Sequence, residues 1–293
     1  MEHKFGGGWT ERKLRTVGGY LQAYVTALKN TGYELVYIDA FAGTGQRVNP
    51  RSGELSQQSE LLFDMPEEAA RFSRGSVRIA LDVNPPFSRY VFIERDQAKC
   101  DELHRMVTSE YARFADRVSI IQEDCNVVLQ DLSCGSWAKR RGVLFLDPFG
   151  MQVKFETMRA IAETKAIDLW ILFPHGIGVN RMLPRDGVIP PEWRPTLNEI
   201  FGTEAWEASF YQPSGQIDLE GIELPREKIA TLDSLVKYYR NQLRSIFAYV
   251  HDRSLTLVNS KQSPMFSLCF AMGNKNIKAI RLATKFVRHL LKE

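Results

Sequence analysis

The chain is 293 residues long, 44% hydrophobic, 11% aromatic and 25% charged, which supplies enough apolar material for a substantial core and excludes disordered and fibrous classes. Its 38 basic and 35 acidic side chains leave a formal charge of +3, too small a surplus to point to a polyanion partner by itself. Cys100, Cys125, Cys134 and Cys269 show no C-x-x-C spacing; with no export signal and no apolar run of about 18 residues, the expectation is a cytoplasmic chain with reduced thiols, no metal site and no membrane partner.

Leu14, Val17, Leu21, Val25 and Leu28 recur at spacings of three and four, predicting an amphipathic helix over 13–28 that Asn30-Thr31-Gly32 stops. Y-E-L-V-Y-I at 33–38 is short, β-branched and aromatic, and it runs straight into Asp39-Ala40-Phe41-Ala42-Gly43-Thr44-Gly45, a strand followed by a glycine turn. Residues 46–58 contain Pro50 and Gly53 and read as a loop, with a short helix opening over 59–63. S-V-R-I-A-L from Ser76 and R-Y-V-F-I-E ending at Glu94 read as strands on either side of the breaker Asn84-Pro85-Pro86, and a polar helix follows over 96–111.

Three more strands are expected over 118–122, 142–146 and 167–173, ending in Glu123-Asp124, Asp147-Pro148-Phe149-Gly150 and Pro174-His175-Gly176. The basic run Lys139-Arg140-Arg141 before the second of them reads as a solvated turn. Pro184, Pro190, Pro191 and Pro195 make 175–197 a long loop region after a strand end, the ligand side of an open α/β sheet. A helical period resumes over 227–247, two closing strands are expected at 247–250 and 264–271, and a terminal helix over 276–292. Strands alternating with helices on this rhythm imply a mostly parallel, doubly wound sheet. The whole chain, 1–293, reads as one domain with insertions at 46–75 and 175–225.

Four strands finish in an acidic residue: Asp39, Glu94, Glu123-Asp124 and Asp147. In a parallel sheet these ends share one edge, so the carboxylates converge, an arrangement that is costly unless a ligand uses it. A nucleoside suits it, since one carboxylate can accept both ribose hydroxyls and another the exocyclic amine of adenine, each bond contributing about 1.5–3 kcal/mol. Gly43 and Gly45 let the backbone approach such a ligand. A glycine after a strand can equally be a plain turn, and it is the company of Glu94 and Asp124 that favours the binding reading. No G-x-x-x-x-G-K-[ST] occurs, and Gly45 is followed by Gln46-Arg47-Val48 rather than by the third glycine of a dinucleotide fingerprint.

These residues resemble the class I S-adenosylmethionine-dependent methyltransferases. The resemblance implies a Rossmann-like fold with an antiparallel closing strand and S-adenosylmethionine as cofactor, with S-adenosylhomocysteine as product. It places the methionine part at Asp39, Phe41, Gly43 and Gly45, the ribose at Glu94 and the adenine at Asp124. The stretch between Gly45 and Glu94 is about twice the family's usual length, which is why residues 46–75 are read as inserted.

Asp147-Pro148-Phe149-Gly150 resembles the fourth motif of the amino-methyltransferases, usually D/N/S-P-P-Y/F. In that family the acid and the proline carbonyl accept hydrogens of the target base's exocyclic amine while the aromatic ring stacks on the base. Accepting those hydrogens localises a lone pair otherwise delocalised into the ring. The second proline is missing and the aromatic residue comes one position early; D-P-F-G also resembles the tRNA guanine-N2 methyltransferases, so adenine N6 and guanine N2 both stay open. The alternative for Asp147 is a strand-end helix cap. Cys125 and Cys134 lie outside any Pro-Cys motif, which disfavours a covalent route.

Over nearly the whole chain, W-T-x-x-K-L, Y-I-D-A-F-A-G-T-G, P-P-F-x-R-Y-x-F-I-E-R-D, F-L-D-P-F-G-M-Q-V, L-F-P-H-G-I-G-V-N-R-M-L and L-N-E-I-F-G-T are similar to the three-Cys-motif partner (TcmP) family of bacteria and their phages. That resemblance implies a radical-SAM-like partner carrying three cysteines. It also suggests that Lys13 reaches the cofactor carboxylate, against the alternative of a surface lysine on an amphipathic helix. DNA, RNA and small-molecule substrates stay open, as does a non-catalytic docking role. His175 reads as structural, and Arg181 and Arg185 as either phosphate contacts or solvated side chains.

Overall fold

The computed structural model describes residues 8–43, 67–148, 150–215 and 226–291. The first helix, α1 (Gly8–Leu28), leads into strand β1 (Glu34–Asp39); α2 (Glu67–Asp82) carries the chain to β2 (Arg89–Glu94), and α3 (Gln97–Glu110) to β3 (Val118–Gln122). The chain then crosses back through α4 (Cys125–Cys134) to β4 (Arg140–Leu146), and α5 (Phe155–Glu163) leads to β5 (Ile167–Phe173). After β5 come α6 (Trp193–Phe201), α7 (Trp206–Phe210), the two-residue strands β6 (Tyr211–Gln212) and β7 (Glu227–Lys228), and α8 (Leu232–Ile246). The closing elements are β8 (Tyr249–Val250), β9 (Leu255–Val258), β10 (Pro264–Met272) and α9 (Ile277–Leu290).

The main sheet has the order β3-β2-β1-β4-β5-β10-β8, with β9 also on β10. The first five strands are mutually parallel, and β10 runs antiparallel to β5, β8 and β9. This is the mostly parallel Rossmann-like sheet with an antiparallel closing strand that the sequence suggests. The direction of winding reverses between β1 and β4, and the carboxyl ends at such a switch point open a crevice that helices do not fill.

Period-2 alternation sorts the side chains onto two covered faces. Val36, Ile38, Leu144, Leu146, Leu169 and Ile171 pack with α4, α5, α6 and α8. Leu35, Tyr37, Val143, Phe145, Trp170 and Leu172 pack with α1, α2, α3 and α9. Asp39 and Asp147 continue the second set in parity, so both carboxylates belong to the face that α1 covers.

Four expectations need correction. Ser76–Leu81 is helical, within α2, because Val77, Ala80 and Leu81 form the buried i, i+3, i+4 stripe that lies on α1; a parallel β1–β2 pair requires such a crossover. The 175–197 stretch is less irregular than its prolines suggest: a 3-10 turn spans Val179–Met182, and α6 begins at Trp193 with Pro195 in its first turn, where no helical N–H is lost. Three strands rather than two close the sheet, β9 being the addition, and Glu227–Lys228 is a short strand ahead of a helix that starts at Leu232. The helix expected over 59–63 lies outside the described residues. No helix among the described residues is long and apolar enough to cross a membrane.

Candidate active site

Asp39 ends β1 opposite Phe92 of β2 and Phe145 of β4, so Glu94 and Asp147 each stand two residues further along the neighbouring strands. Strands about 4.8 Å apart bring these three acids to one rim. Asp124 follows β3 at the same edge, two residues beyond the Glu94–Gln122 pair.

Asp147 is held from α1. Lys13 Nζ lies 3.0 Å from Asp147 Oδ2, with the lysine 1% and the aspartate 15% exposed. Lys13 therefore belongs to the buried stripe of α1 and is not a surface lysine. Burial pulls both groups towards their neutral forms: it lowers the lysine to about 8, and the Asp147 and Asp39 carboxylates oppose that fall. It raises Asp147, which the ammonium opposes. The direct 3.0 Å pair, with its hydrogen bond, opposes that pull on both groups.

Asp39 is fully buried. It accepts the backbone N–H of Phe41 at 3.2 Å and the hydroxyl of Tyr37 at 3.4 Å, and the Ser76 hydroxyl also bonds to it. Burial is the largest influence on its carboxyl, lifting it to about 7 despite those donors, and the Asp147 charge adds to the rise. Beyond it the chain stays on the sheet, Ala42 N donating to Ile93 O at 3.0 Å. Phe41 packs against the core and Gly43 is buried. Gly45 lies outside the described residues.

Glu94, 8% exposed, accepts the Asp96 backbone N–H through Oε1 at 3.0 Å, with Lys99 Nζ 3.9 Å away. Asp124 is the N-cap of α4, its Oδ1 accepting Asn126 N at 2.8 Å and Asn126 Nδ2 at 3.0 Å. Both bonds fall on Oδ1, so the cap does not engage the second oxygen. Pro148 is buried, and its carbonyl accepts Gly150 N–H at 2.9 Å across a turn in which Gly150 takes φ +104, a backbone that favours glycine. A carbonyl has two lone pairs, so one acceptor position is left beside that bond. Phe149 lies outside the described residues.

Three side chains that sequence reasoning missed organise this rim. Tyr37 and Ser76 orient Asp39. Asn126 joins Asp124 to the segment after β4, donating to Gln152 O at 2.9 Å and accepting from Lys154 N at 3.0 Å and Thr157 Oγ1 at 2.8 Å. His175 is 2% exposed and stacked on Phe173; its Nδ1 has no partner among the described residues, and burial lowers its basicity. Gly176 beside it is required, because a Cβ there would collide with the Pro264 carbonyl of β10.

An open depression lined by Ser133, Trp137, Arg141, Glu163 and Lys165 lies at the amino end of β4 and β5, on the opposite edge of the sheet. It contains none of the strand-end acids. No His/Cys/Asp/Glu group among the described residues could hold a metal ion.

No family model and no curated protein matches the chain. Solved structures of similar shape include a Legionella pneumophila protein of the DUF519 family, 11% identical, covering 95% of this chain and 92% of that one with a TM-score of 0.46. An O-methyltransferase from Bacillus cereus in complex with SAH is 14% identical, with 88% and 80% coverage and a TM-score of 0.39. A putative S-adenosylmethionine-dependent methyltransferase from Listeria monocytogenes is 10% identical, with 87% and 98% coverage and a TM-score of 0.38. Similarities at this level assign no chemistry to the chain.

Proposed function

We propose that the chain is an S-adenosylmethionine-dependent methyltransferase acting on an exocyclic amine of a nucleobase in nucleic acid. The observation that carries this reading is the Lys13–Asp147 pair at the switch point, directly beside the buried Asp39. A rim with Asp39, Glu94, Asp124 and Asp147 and one fully buried lysine is acidic and largely buried, which suits a cationic ligand.

The residues present fit the cofactor. Glu94, anchored by Asp96 N–H, is placed to accept ribose hydroxyls; the oxygen of Asp124 that the cap leaves over is placed to accept an adenine amine; Asp39 and the Phe41–Gly43 turn suit the ammonium of the methionine part. When bound, S-adenosylmethionine supplies an electrophilic methyl group on a cationic sulfur. Lys13 keeps Asp147 ionised inside a low-dielectric rim, and Asp147 accepts a hydrogen of the target amine and so localises its lone pair. Pro148 offers a second acceptor at its carbonyl. Phe149 is proposed to stack on the base.

Membership of the three-Cys-motif partner family, with its radical-SAM-like partner, is the finer form of this proposal and is supported by the motifs that run along the chain. Adenine N6 and guanine N2 are both compatible with D-P-F-G.

The test is transfer of a labelled methyl group from S-adenosylmethionine into separated DNA, RNA and small-molecule fractions, with Asp147→Ala alongside. Label in a nucleic-acid fraction, lost in the variant while cofactor binding persists, is the expected result. Full activity in Asp147→Ala would overturn the assignment of that residue. Cofactor binding without transfer into any fraction would overturn the enzyme reading in favour of a docking protein.

A further inference from the structure

The overall charge of +3 conceals a partition. Residues 253–292 contain eight lysines and arginines and no acid, whereas the first 252 residues carry 34 acids against 30 bases. Much of this surplus lies on α9. Lys278, Arg281, Lys285 and Arg288 succeed one another at three, four and three residues, the spacing that lines side chains along one helix face. All four are exposed, and the stripe is about 15 Å long at 1.5 Å per residue.

Folding alone does not account for it. Arg78, Arg140, Arg194 and Arg244 each lie on a carboxylate, but among the described residues none of the four stripe cations has an acidic partner. Like charges three and four residues apart on a helix repel. The helix dipole favours Arg288 in the last turn, yet it disfavours Lys278 in the first. A basic helix can also lie on an anionic membrane, but most of the apolar side chains of α9 are spent: Ala283 and Val287 are buried, Ile280, Phe286 and Leu290 pack on the core under α1, and the exposed Ile277 and Leu282 stand singly on either side of the stripe rather than as an apolar face.

The stripe also runs towards the candidate site. Leu290 packs so closely on α1 that a Cβ on Gly19 would meet its Cδ2 at 2.7 Å. Lys13, bonded to Asp147, is six residues, about 9 Å, further along α1. The carboxyl end of the stripe is thus beside the helix that holds the proposed catalytic carboxylate.

We propose that the α9 stripe is a docking surface for the sugar–phosphate backbone of a nucleic-acid strand whose base is presented at Asp147. This rests on the nucleobase reading of the site, and it narrows the substrate from a free nucleoside to a polymer. Unpaired cations at one-turn intervals match a phosphodiester chain in charge and in repetition, and binding releases the counterions condensed on the strand.

The experiment uses the full chain and labelled single-stranded RNA and DNA 20-mers, titrated at several salt concentrations. The stripe variant replaces Lys278, Arg281, Lys285 and Arg288 by Gln. A control variant replaces four exposed cations on other faces, Arg105, Arg113, Lys139 and Lys237, by Gln. The expected result is a loss of affinity of about tenfold or more in the stripe variant only, with its log–log salt slope shallower by up to about 3, since each single-strand phosphate contact contributes about 0.7. Equal affinity and slope in the stripe and control variants would overturn the proposal. So would wild-type binding to phosphatidylserine-containing vesicles but to neither oligonucleotide. Methyl transfer measured on the same proteins separates the two claims: stripe-dependent binding without transfer leaves the docking surface standing and removes the enzyme reading. Transfer to free nucleosides that ignores the stripe does the reverse.

Discussion

Lys13 Nζ and Asp147 Oδ2 lie 3.0 Å apart across 134 residues of chain, one buried in α1 and the other just past the end of β4. The pair thus ties the start of α1 to the switch point and places a cation among the strand-end acids of β1 and β4.

Removing one partner leaves the other as a buried, uncompensated charge. Lys13→Met is expected to destabilise the fold by about 3–5 kcal/mol. Lys13→Met combined with Asp147→Asn should recover much of that loss, because no charge is then stranded. A double-mutant cycle by urea unfolding checks this, and additive effects within about 0.5 kcal/mol would show that the two side chains are not coupled.

Asp124 has two separable tasks, capping α4 and offering an oxygen to a ligand. Serine caps about as well as aspartate, whereas alanine does not. Asp124→Ser should therefore keep the unfolding midpoint close to wild type while weakening S-adenosylmethionine binding roughly tenfold, the loss of one charge-assisted bond. Asp124→Ala should lose the same affinity and about 1 kcal/mol of stability besides. Calorimetric titration with thermal unfolding of both variants decides; equal affinity in wild type and Asp124→Ser would reduce Asp124 to a cap.

Much of this rim is legible in the sequence alone. Asp39, Glu94 and Asp147 stand at the ends of short apolar runs, and the pleat puts residues of one parity on one face. Lys13 carried a signal too, since it continues the buried stripe of Val17, Tyr20 and Tyr24 at helical spacing, where a lysine must find a partner. Which partner was not legible, because the 134-residue separation is closed by tertiary packing. Ser76 was lost with α2: S-V-R-I-A-L satisfies both a period of two and a period near 3.6, and the need for a crossover between parallel strands is what decides. Asn126 gave no pattern, its bonds running to loop backbone.

Tyr20 and Asp168 form a second buried polar pair, away from the rim. The tyrosine hydroxyl donates to Asp168 Oδ2 at 2.7 Å, and burial lifts that carboxyl from 3.8 to about 7 in the folded chain. Because the folded value exceeds the unfolded one, the folded state holds a proton more tightly between pH 4 and 7. The associated stability is present below about pH 4 and lost as pH rises towards 7. Asp168→Asn keeps an acceptor for Tyr20 and removes the titration. It should match wild type near pH 4 and exceed it by up to ~4 kcal/mol above pH 7, at about 1.4 kcal/mol per pH unit of displacement. Urea unfolding at pH 4.5 and 8 checks the sign.

Asp39 titrates in the same range, its carboxyl lifted to about 7 by burial, but at the place proposed for the cofactor's ammonium group. Binding a cation there favours the ionised carboxylate, so the complex should form with release of a proton when the free protein is below about pH 7. Affinity for S-adenosylmethionine is therefore expected to rise between pH 6 and 8, approaching tenfold per pH unit on the acid side. Asp39→Asn should bind more weakly throughout and lose the pH dependence. Titration calorimetry in buffers of different ionisation enthalpy measures the released proton directly. A wild-type affinity that is flat from pH 6 to 8, with no buffer dependence of the heat, would remove Asp39 from the ammonium site and leave it as an anchor for the Phe41 N–H.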